Sequence, residues 1–388
     1  MTDRKSGIEG LAPSFEERFS KTPRLFSAPG RVNLIGEHTD YNAGLVLPIA
    51  IQQRTHVAAA ARGDRVIRVH SRNFGEQFEF SLDASWKKHG GWLDYVEGMA
   101  RTLVARGVPI IGADLAVASD VPPGSGLSSS AALELAVGLA LVSLAGVDLP
   151  PRELALAGQA AEHDYVGVQC GLMDQLVGAL GKASHALLID CRSLEVTEVE
   201  IPPFAARIVV CDSRVRHAHA ASGYNQRRAE CQEAVRLLKK GGMQIDTLRD
   251  VGIERLPGVQ ALLPAPLGKR VRHVVGENAR TRGAVDALRH SHLPGLGRLM
   301  TGSHVSLRDD FEVSCPELDH LVDTARRQKA VLGARMTGGG FGGSAIFLVK
   351  TPHVDEVCEI VSTSFRERFG SEPALHVTQA AGAMRAHS

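Results

Sequence analysis

The 388-residue sequence predicts an α+β fold in two domains. Three observations lead there. The length exceeds one ordinary core and suits two of about 150 to 200 residues each. Strand-like and helix-like segments are mixed without the strict alternation of a doubly wound sheet. The pattern also starts afresh after Pro202-Pro203, the strongest boundary signal in the chain, dividing it into 1–203 and 204–388.

In the first part, 1–22 is polar and reads as a loosely attached lead-in. Segments 25–28, 44–60, 65–69 and 115–118 have the alternating or β-branched character of strands. Segment 127–145 predicts a helix, with Ser128 or Ser129 near its N-cap and Gly146 just past its end. Its apolar residues, among them Leu133, Val137 and Leu141, run nearly all round, so the helix should be buried. Helices at 154–165 and 172–179 and strands at 186–190 and 196–201 follow. After the boundary come a strand at 208–211, a helix at about 225–240 and a polar stretch at 241–270. Helices at 285–288, 299–309 and 317–328, a strand at 344–350 and a last helix at 354–369 complete the chain.

Composition excludes several classes of function. Lys plus Arg number 44 against 43 Asp plus Glu, a net charge of +1. A nucleic acid or an acidic membrane would ask for a surplus of positive charge, so neither is an expected partner. The longest near-apolar stretch, 135–147, is too short to span a bilayer. The first 24 residues carry Asp3, Glu9, Glu16 and Glu17 and lack an apolar signal core, so a cytoplasmic location is expected. The six cysteines are scattered, with no pair at metal or redox spacing, and read as reduced thiols. Glycine is the anomaly: 40 residues, where average usage gives about 27.

Much of that surplus falls in three segments. At 30–42 the chain reads GRVNLIGEHTDYN, placing Arg31, Glu37, His38 and Asp40 on one glycine-punctuated loop. Such groups suit a ligand with many hydroxyls, each of which donates and accepts; the bland alternative is a solvated polar turn. At 122–132 the sequence PPGSGLSSSAA lies between a strand and the buried helix. Its glycines expose backbone N–H groups, its serines add donors and the helix N-terminus adds a positive dipole end, which together suit phosphate. It is neither a Walker loop nor a Rossmann fingerprint, and a Ser-capped helix after a Pro-Gly turn would read the same. At 337–344 the sequence TGGGFGGS puts five glycines in six residues directly before a strand. A linker would not carry Phe341 or run straight into apolar residues, so close approach by another group is the favoured reading.

In this order the three segments resemble the three motifs of the GHMP kinases, small-molecule kinases named for galactose, homoserine, mevalonate and phosphomevalonate. Segment 30–42 is similar to the signature of the galactokinase branch. The similarity continues through Cys170-Gly171-Leu172-Met173-Asp174-Gln175, 185–193 and 306–318, and covers about 24 to 350. The resemblance implies an N-terminal ribosomal-S5-domain-2-like domain and a C-terminal ferredoxin-like α/β domain, with the active site in the cleft between them. It also implies ATP-dependent phosphorylation of galactose at its C1 hydroxyl. A kinase for another sugar, such as N-acetylgalactosamine or arabinose, and a non-catalytic galactose and ATP sensor remain open as alternatives.

The resemblance further implies residue roles. Arg31, Glu37, His38, Asp40, Gly171 and Tyr224 would hold the sugar, with Asp174 the catalytic base and Arg31 its partner. Pro123, Gly124, Ser125, Gly126, Leu127, Ser128, Ser129, Ser130 and Ala131 would wrap the nucleotide phosphates. Ser130 and Glu162 would ligate Mg²⁺, and Trp92 with Tyr95 would stand in the adenine pocket. The implied partners are galactose and ATP, and the implied state is a monomer. One departure stands out: Gly223 precedes Tyr224 where the family often has an acidic residue, which would loosen the sugar-side loop.

Overall fold

The computed structural model describes residues 8–202, 205–216 and 220–387. In chain order the elements are α1 (Leu11–Phe19), β1 (Arg24–Asn33), β2 (Leu45–Val46), β3 (Pro48–Ala61), β4 (Val66–Ser71), β5 (Glu76–Ser81), α2 (Trp92–Ala105) and β6 (Ala113–Ser119). Next come α3 (Ser129–Leu144), α4 (Pro151–Ala161), α5 (Met173–Leu180), β7 (His185–Asp190), β8 (Glu195–Glu200), β9 (Ala206–Arg216) and α6 (Ala220–Lys240). The rest are α7 (Leu256–Ala261), α8 (Leu267–Arg289), α9 (Leu293–Ser306), α10 (Pro316–Arg326), β10 (Val331–Thr337), β11 (Gly342–Lys350), α11 (Val354–Phe369), β12 (Ala374–Thr378) and β13 (Arg385–His387).

The chain forms two compact units, and neither is continuous. The first comprises Met1–Arg31, Ala50–Ala183 and Ala381–Ser388; the second comprises Val32–Ile49 and Ser184–Ala380. The expected boundary between 203 and 204 lies outside the described residues.

In the first unit a six-stranded sheet runs β13-β1-β3-β6-β4-β5. Strand β4 pairs parallel to β6, with Val69 opposite Leu115, and antiparallel to β5. Helices α2, α3, α4 and α5 pack against one another. The sequence marks the start and end of α3 to within two residues, and its Ala131, Leu135 and Leu141 are buried as their all-round apolar pattern requires. Residues 11–19 depart from expectation, forming a helix rather than a loose lead-in. Leu11, Phe15 and Phe19, spaced by four, pack on Ala58 and Ala60 of β3 and Ala116 and Ala118 of β6, where alternate residues share one face.

In the second unit an antiparallel sheet runs β10-β11-β9-β12, and β2-β7-β8 forms a separate three-stranded sheet. The core includes Val209, Cys211, Leu321, Phe347, Val361 and Phe365. The largest correction concerns α8: it spans 23 residues, where the sequence pattern shows only a helix at 285–288. Arg270, His273, Glu277, Asn278 and Thr281 are buried on this helix beside Val271, Val274, Val275 and Val285, so a polar stripe interrupts its inward face and the apolar periodicity is broken. Among the described residues no helix is long and apolar enough to cross a membrane, and all six cysteines are free thiols.

Candidate functional site

The predicted residues fall into two groups, one in each unit. In the first unit, α3 begins directly after the serine loop, and Ser128 at its N-cap adopts a left-handed backbone without capping the helix through its side chain. Its hydroxyl donates instead to Asp174 Oδ2. Arg31 donates to the same carboxylate with two parallel bonds, Nε to Oδ1 at 2.8 Å and Nη2 to Oδ2 at 2.7 Å. Its third nitrogen, Nη1, donates to Gly126 O at 2.6 Å, and its backbone N–H donates to Leu127 O at 3.1 Å. Arg31 therefore ties the end of β1 to the phosphate-type loop and to Asp174 together. A bidentate pair fixes orientation as well as charge. Asp174 stands in the first turn of α5, yet Leu172 is the N-cap and no side-chain cap bond is present, so the carboxylate serves Arg31 and Ser128. It keeps 25% of its side chain exposed.

Glu162 opens a π-helical turn, Glu162–Val166, at the end of α4. Its buried carboxylate accepts from Ser130, from Gln175 Nε2 at 2.9 Å and from Cys170 Sγ at 3.2 Å. Gln175 Nε2 also donates to Glu134 Oε2 at 3.0 Å. Burial, together with the nearby Asp174 charge, raises the Glu162 pKa above its ordinary value; burial and the Glu162 charge raise that of Glu134 further. Glu134 Oε1 is buried without a partner. Two hard oxygens on Ser130 and Glu162 beside a second carboxylate fit Mg²⁺, which takes one or two protein oxygens and keeps water and phosphate ligands. Among the described residues no group of three or more His, Cys, Asp or Glu side chains could hold a metal ion. Gly171 sits between Cys170, whose carbonyl accepts from His163 Nε2 at 2.9 Å, and the start of α5.

A cavity of about 530 Å³ in the same unit is lined by Phe74, Trp92 and Tyr95, with Pro123, Ser129 and Ser130 also on its wall. That volume suits a nucleotide-sized ligand. Phe74 and Trp92 stack at 6.2 Å between ring centroids, and Trp92 Nε1 donates to Glu76 Oε2 at 2.7 Å. Phe74 has no motif around it and was invisible to sequence reasoning. Ser125 donates to Pro122 O at 2.7 Å and closes the turn that carries Gly124 and Gly126, while Leu127 and Ala131 are buried beneath the loop.

In the second unit the first and third glycine segments meet. Glu37 Oε1 accepts from the Gly338 N–H at 2.8 Å and from Thr337 Oγ1 at 3.0 Å, and lies 3.6 Å from Arg335 Nη2. His38 Nε2 donates to Gly339 O at 3.2 Å, which leaves Nδ1 to accept from Tyr41 OH at 2.8 Å. Burial lowers the His38 pKa to about 3, so the ring is neutral at pH 7. The His38 ring packs on Phe311 at 4.7 Å and on Tyr224 at 5.5 Å, and Tyr224 packs on Tyr41 at 5.5 Å. Asp40 starts a short helical turn, Asp40–Asn42. Gly223 does not leave an open space: a Cβ there would stand 2.6 to 2.9 Å from the ring of Phe341, which occupies that room. Arg335 was also missed, because a lone arginine in an apolar strand carries no spacing signal.

Comparison with known proteins adds three family-model matches. Residues 13–61 match the galactokinase galactose-binding signature, 94–182 the GHMP kinase N-terminal domain and 284–367 the GHMP kinase C-terminal domain. A galactokinase of Chloroflexus aurantiacus is 52% identical over 365 residues, covering 94% of this chain and 93% of the relative. A galactokinase of a Roseiflexus species is 45% identical over 95% of both chains. The crystal structure of Lactococcus lactis galactokinase complexed with galactose superposes with a TM-score of 0.93 at 39% identity, covering 97% of this chain and 99% of that one. A mevalonate kinase structure, at 17% identity and a TM-score of 0.64, shares the fold.

Proposed function

The chain belongs to the galactokinase family of the GHMP kinases, and from that membership we propose that it transfers the γ-phosphoryl group of ATP to the C1 hydroxyl of D-galactose, giving galactose 1-phosphate and ADP. The observation that carries the mechanism is Asp174, gripped bidentately by Arg31 beside the serine loop. Asp174 takes the proton of the attacking hydroxyl. The loose transition state of phosphoryl transfer lets that proton leave late, so positioning matters more than base strength. Arg31 orients the carboxylate and stabilises charge on the transferring group. Backbone N–H groups of 123–131 and the N-terminus of α3 bind the phosphates, and the cavity lined by Trp92 takes the adenine. Mg²⁺ held by Ser130 and Glu162 would supply neutralisation of phosphate charge. Glu37, His38, Asp40, Gly171 and Tyr224 recognise the sugar hydroxyls and ring face. A cytoplasmic monomer is part of the same reading.

The test is ADP release from ATP and Mg²⁺ across a monosaccharide panel. Strong release with galactose is expected. Release only with N-acetylgalactosamine or arabinose would overturn the sugar assignment, and binding of galactose and ATP without any release would make the chain a sensor.

A further inference from the structure

The sugar signature loop rests on a buried polar stripe of α8 that lies outside the segments 13–61, 94–182 and 284–367 matched by the family models. Glu277, fully buried, accepts the Gly36 N–H on Oε1 at 3.0 Å and the Ser303 hydroxyl on the same oxygen at 2.5 Å. Its Oε2 accepts Arg280 Nε at 2.7 Å. One turn earlier, His273 Nε2 donates to Glu37 O at 3.1 Å, while Nδ1 lies 3.0 Å from Ser306 Oγ. Asn278 Oδ1 accepts the Leu45 N–H at 2.8 Å and its Nδ2 donates to Val274 O at 3.0 Å. Positions 273 and 277 are one turn apart on a single helix face. What they and Asn278 bind in the loop that carries Glu37, His38 and Asp40 is backbone, at both of its ends.

Burying polar groups on a helix is costly unless each is satisfied, and an apolar face would serve packing better. Here the stripe satisfies loop N–H and C=O groups that would otherwise be orphaned. Gly36 shows how close the approach is: at φ +101° a Cβ would meet Leu45 O at 2.5 Å and Thr281 Oγ1 at 3.2 Å. The charges of Arg280 and its neighbours hold the Glu277 carboxyl at about 2 despite burial, so it remains a full acceptor.

We propose that His273, Glu277 and Asn278 are positioning residues for sugar recognition, pinning the backbone of residues 36–45 so that Glu37, His38 and Asp40 are ordered before the sugar arrives. The inference rests on the assignment of that loop to the sugar. Preordering removes an entropy cost from binding, so its loss appears in sugar affinity more than in the chemical step.

The test compares Glu277→Ala, Glu277→Gln and Asn278→Ala with wild type, on whichever panel sugar the wild type phosphorylates fastest. Amide hydrogen exchange of residues 36–45 is read in parallel and needs no sugar. Glu277→Ala and Asn278→Ala are expected to raise the sugar KM about tenfold, with kcat and the ATP KM within about twofold, because each leaves a loop N–H unpaired, that of Gly36 or of Leu45. Exchange at Gly36 and Leu45 should quicken about tenfold, and Glu277→Gln, which keeps an acceptor for Gly36, should recover most of both losses. If Glu277→Ala fails to fold, Asn278→Ala carries the comparison alone. An unchanged sugar KM with unchanged exchange would overturn the proposal, as would equal losses in sugar and ATP affinity. A wild type that prefers another sugar defeats the galactose assignment and leaves this comparison standing.

Discussion

Asp174 owes its place to three donors: Arg31 Nε and Nη2, and the Ser128 hydroxyl. Replacing it by Asn preserves shape but presents an amide NH₂ to one of the two guanidinium donors and removes the proton acceptor. General-base help is worth about 10² to 10⁴ in rate, so Asp174→Asn should cut turnover at least about a hundredfold. The cavity proposed for the nucleotide is lined by other residues, so ATP affinity measured by calorimetry should change less than about threefold. Near-normal turnover in this variant would remove Asp174 from the role of base. The motif around Asp174 was legible in the sequence because its neighbours are contiguous with it. Glu134, which sits with Gln175 and Glu162 in the same buried cluster, was not legible, because an acidic residue inside an apolar helix looks the same whether or not it has a partner.

At the scale of elements, the start of α6 and the last glycine segment constrain each other. The Phe341 N–H donates to Val313 O at 2.7 Å, and the backbone there is left-handed at φ 56°, which throws its ring onto Gly223. The same segment offers Gly338 N–H to Glu37 and Gly339 O to His38. Gly223→Ala should push the ring aside and shift those two groups, raising the sugar KM about fivefold. Stability should change by less than about 1 kcal/mol, because the helix gain from alanine offsets the repacking of a ring that is only partly buried. Adding Phe341→Leu should bring the KM back toward wild type; no rise in KM for Gly223→Ala would show that the two elements are uncoupled. Strands and helices with clean periodicity, such as α3 and α11, were readable from sequence to within two residues. Helix α8 was not, because the polar residues that hold the signature loop interrupt the apolar face by which a buried helix is recognised.

Across the whole molecule, the two units carry different buried groups and differ in how strongly acid acts on them. In the second unit burial lowers the pKa of His38 to about 3 and of His273 to about 4, both from 6.5. The folded state then binds fewer protons than the unfolded chain below pH 6.5, so stability is full above that value and falls with pH, by up to about 1.4 kcal/mol per unit for each ring. Glu277, held at about 2, adds a further loss from about pH 4.5 downward, since a depressed carboxyl stabilises only while ionised. In the first unit burial also lowers the pKa of His70 and His387, but Glu134 and Glu162 have raised pKa values and bind more protons when folded, which offsets that loss. The second unit should therefore lose amide protection first as pH falls from 7 to 5, while α3 and α5 of the first unit stay protected. Urea unfolding followed across that range should give a positive slope of stability against pH, and His38→Gln with His273→Gln should lower that slope by about two protons' worth. An unaltered slope in the double variant would mean that other groups govern the acid response, and earlier loss of protection in α3 than in β9 and β11 would reverse the assignment of the acid-sensitive unit.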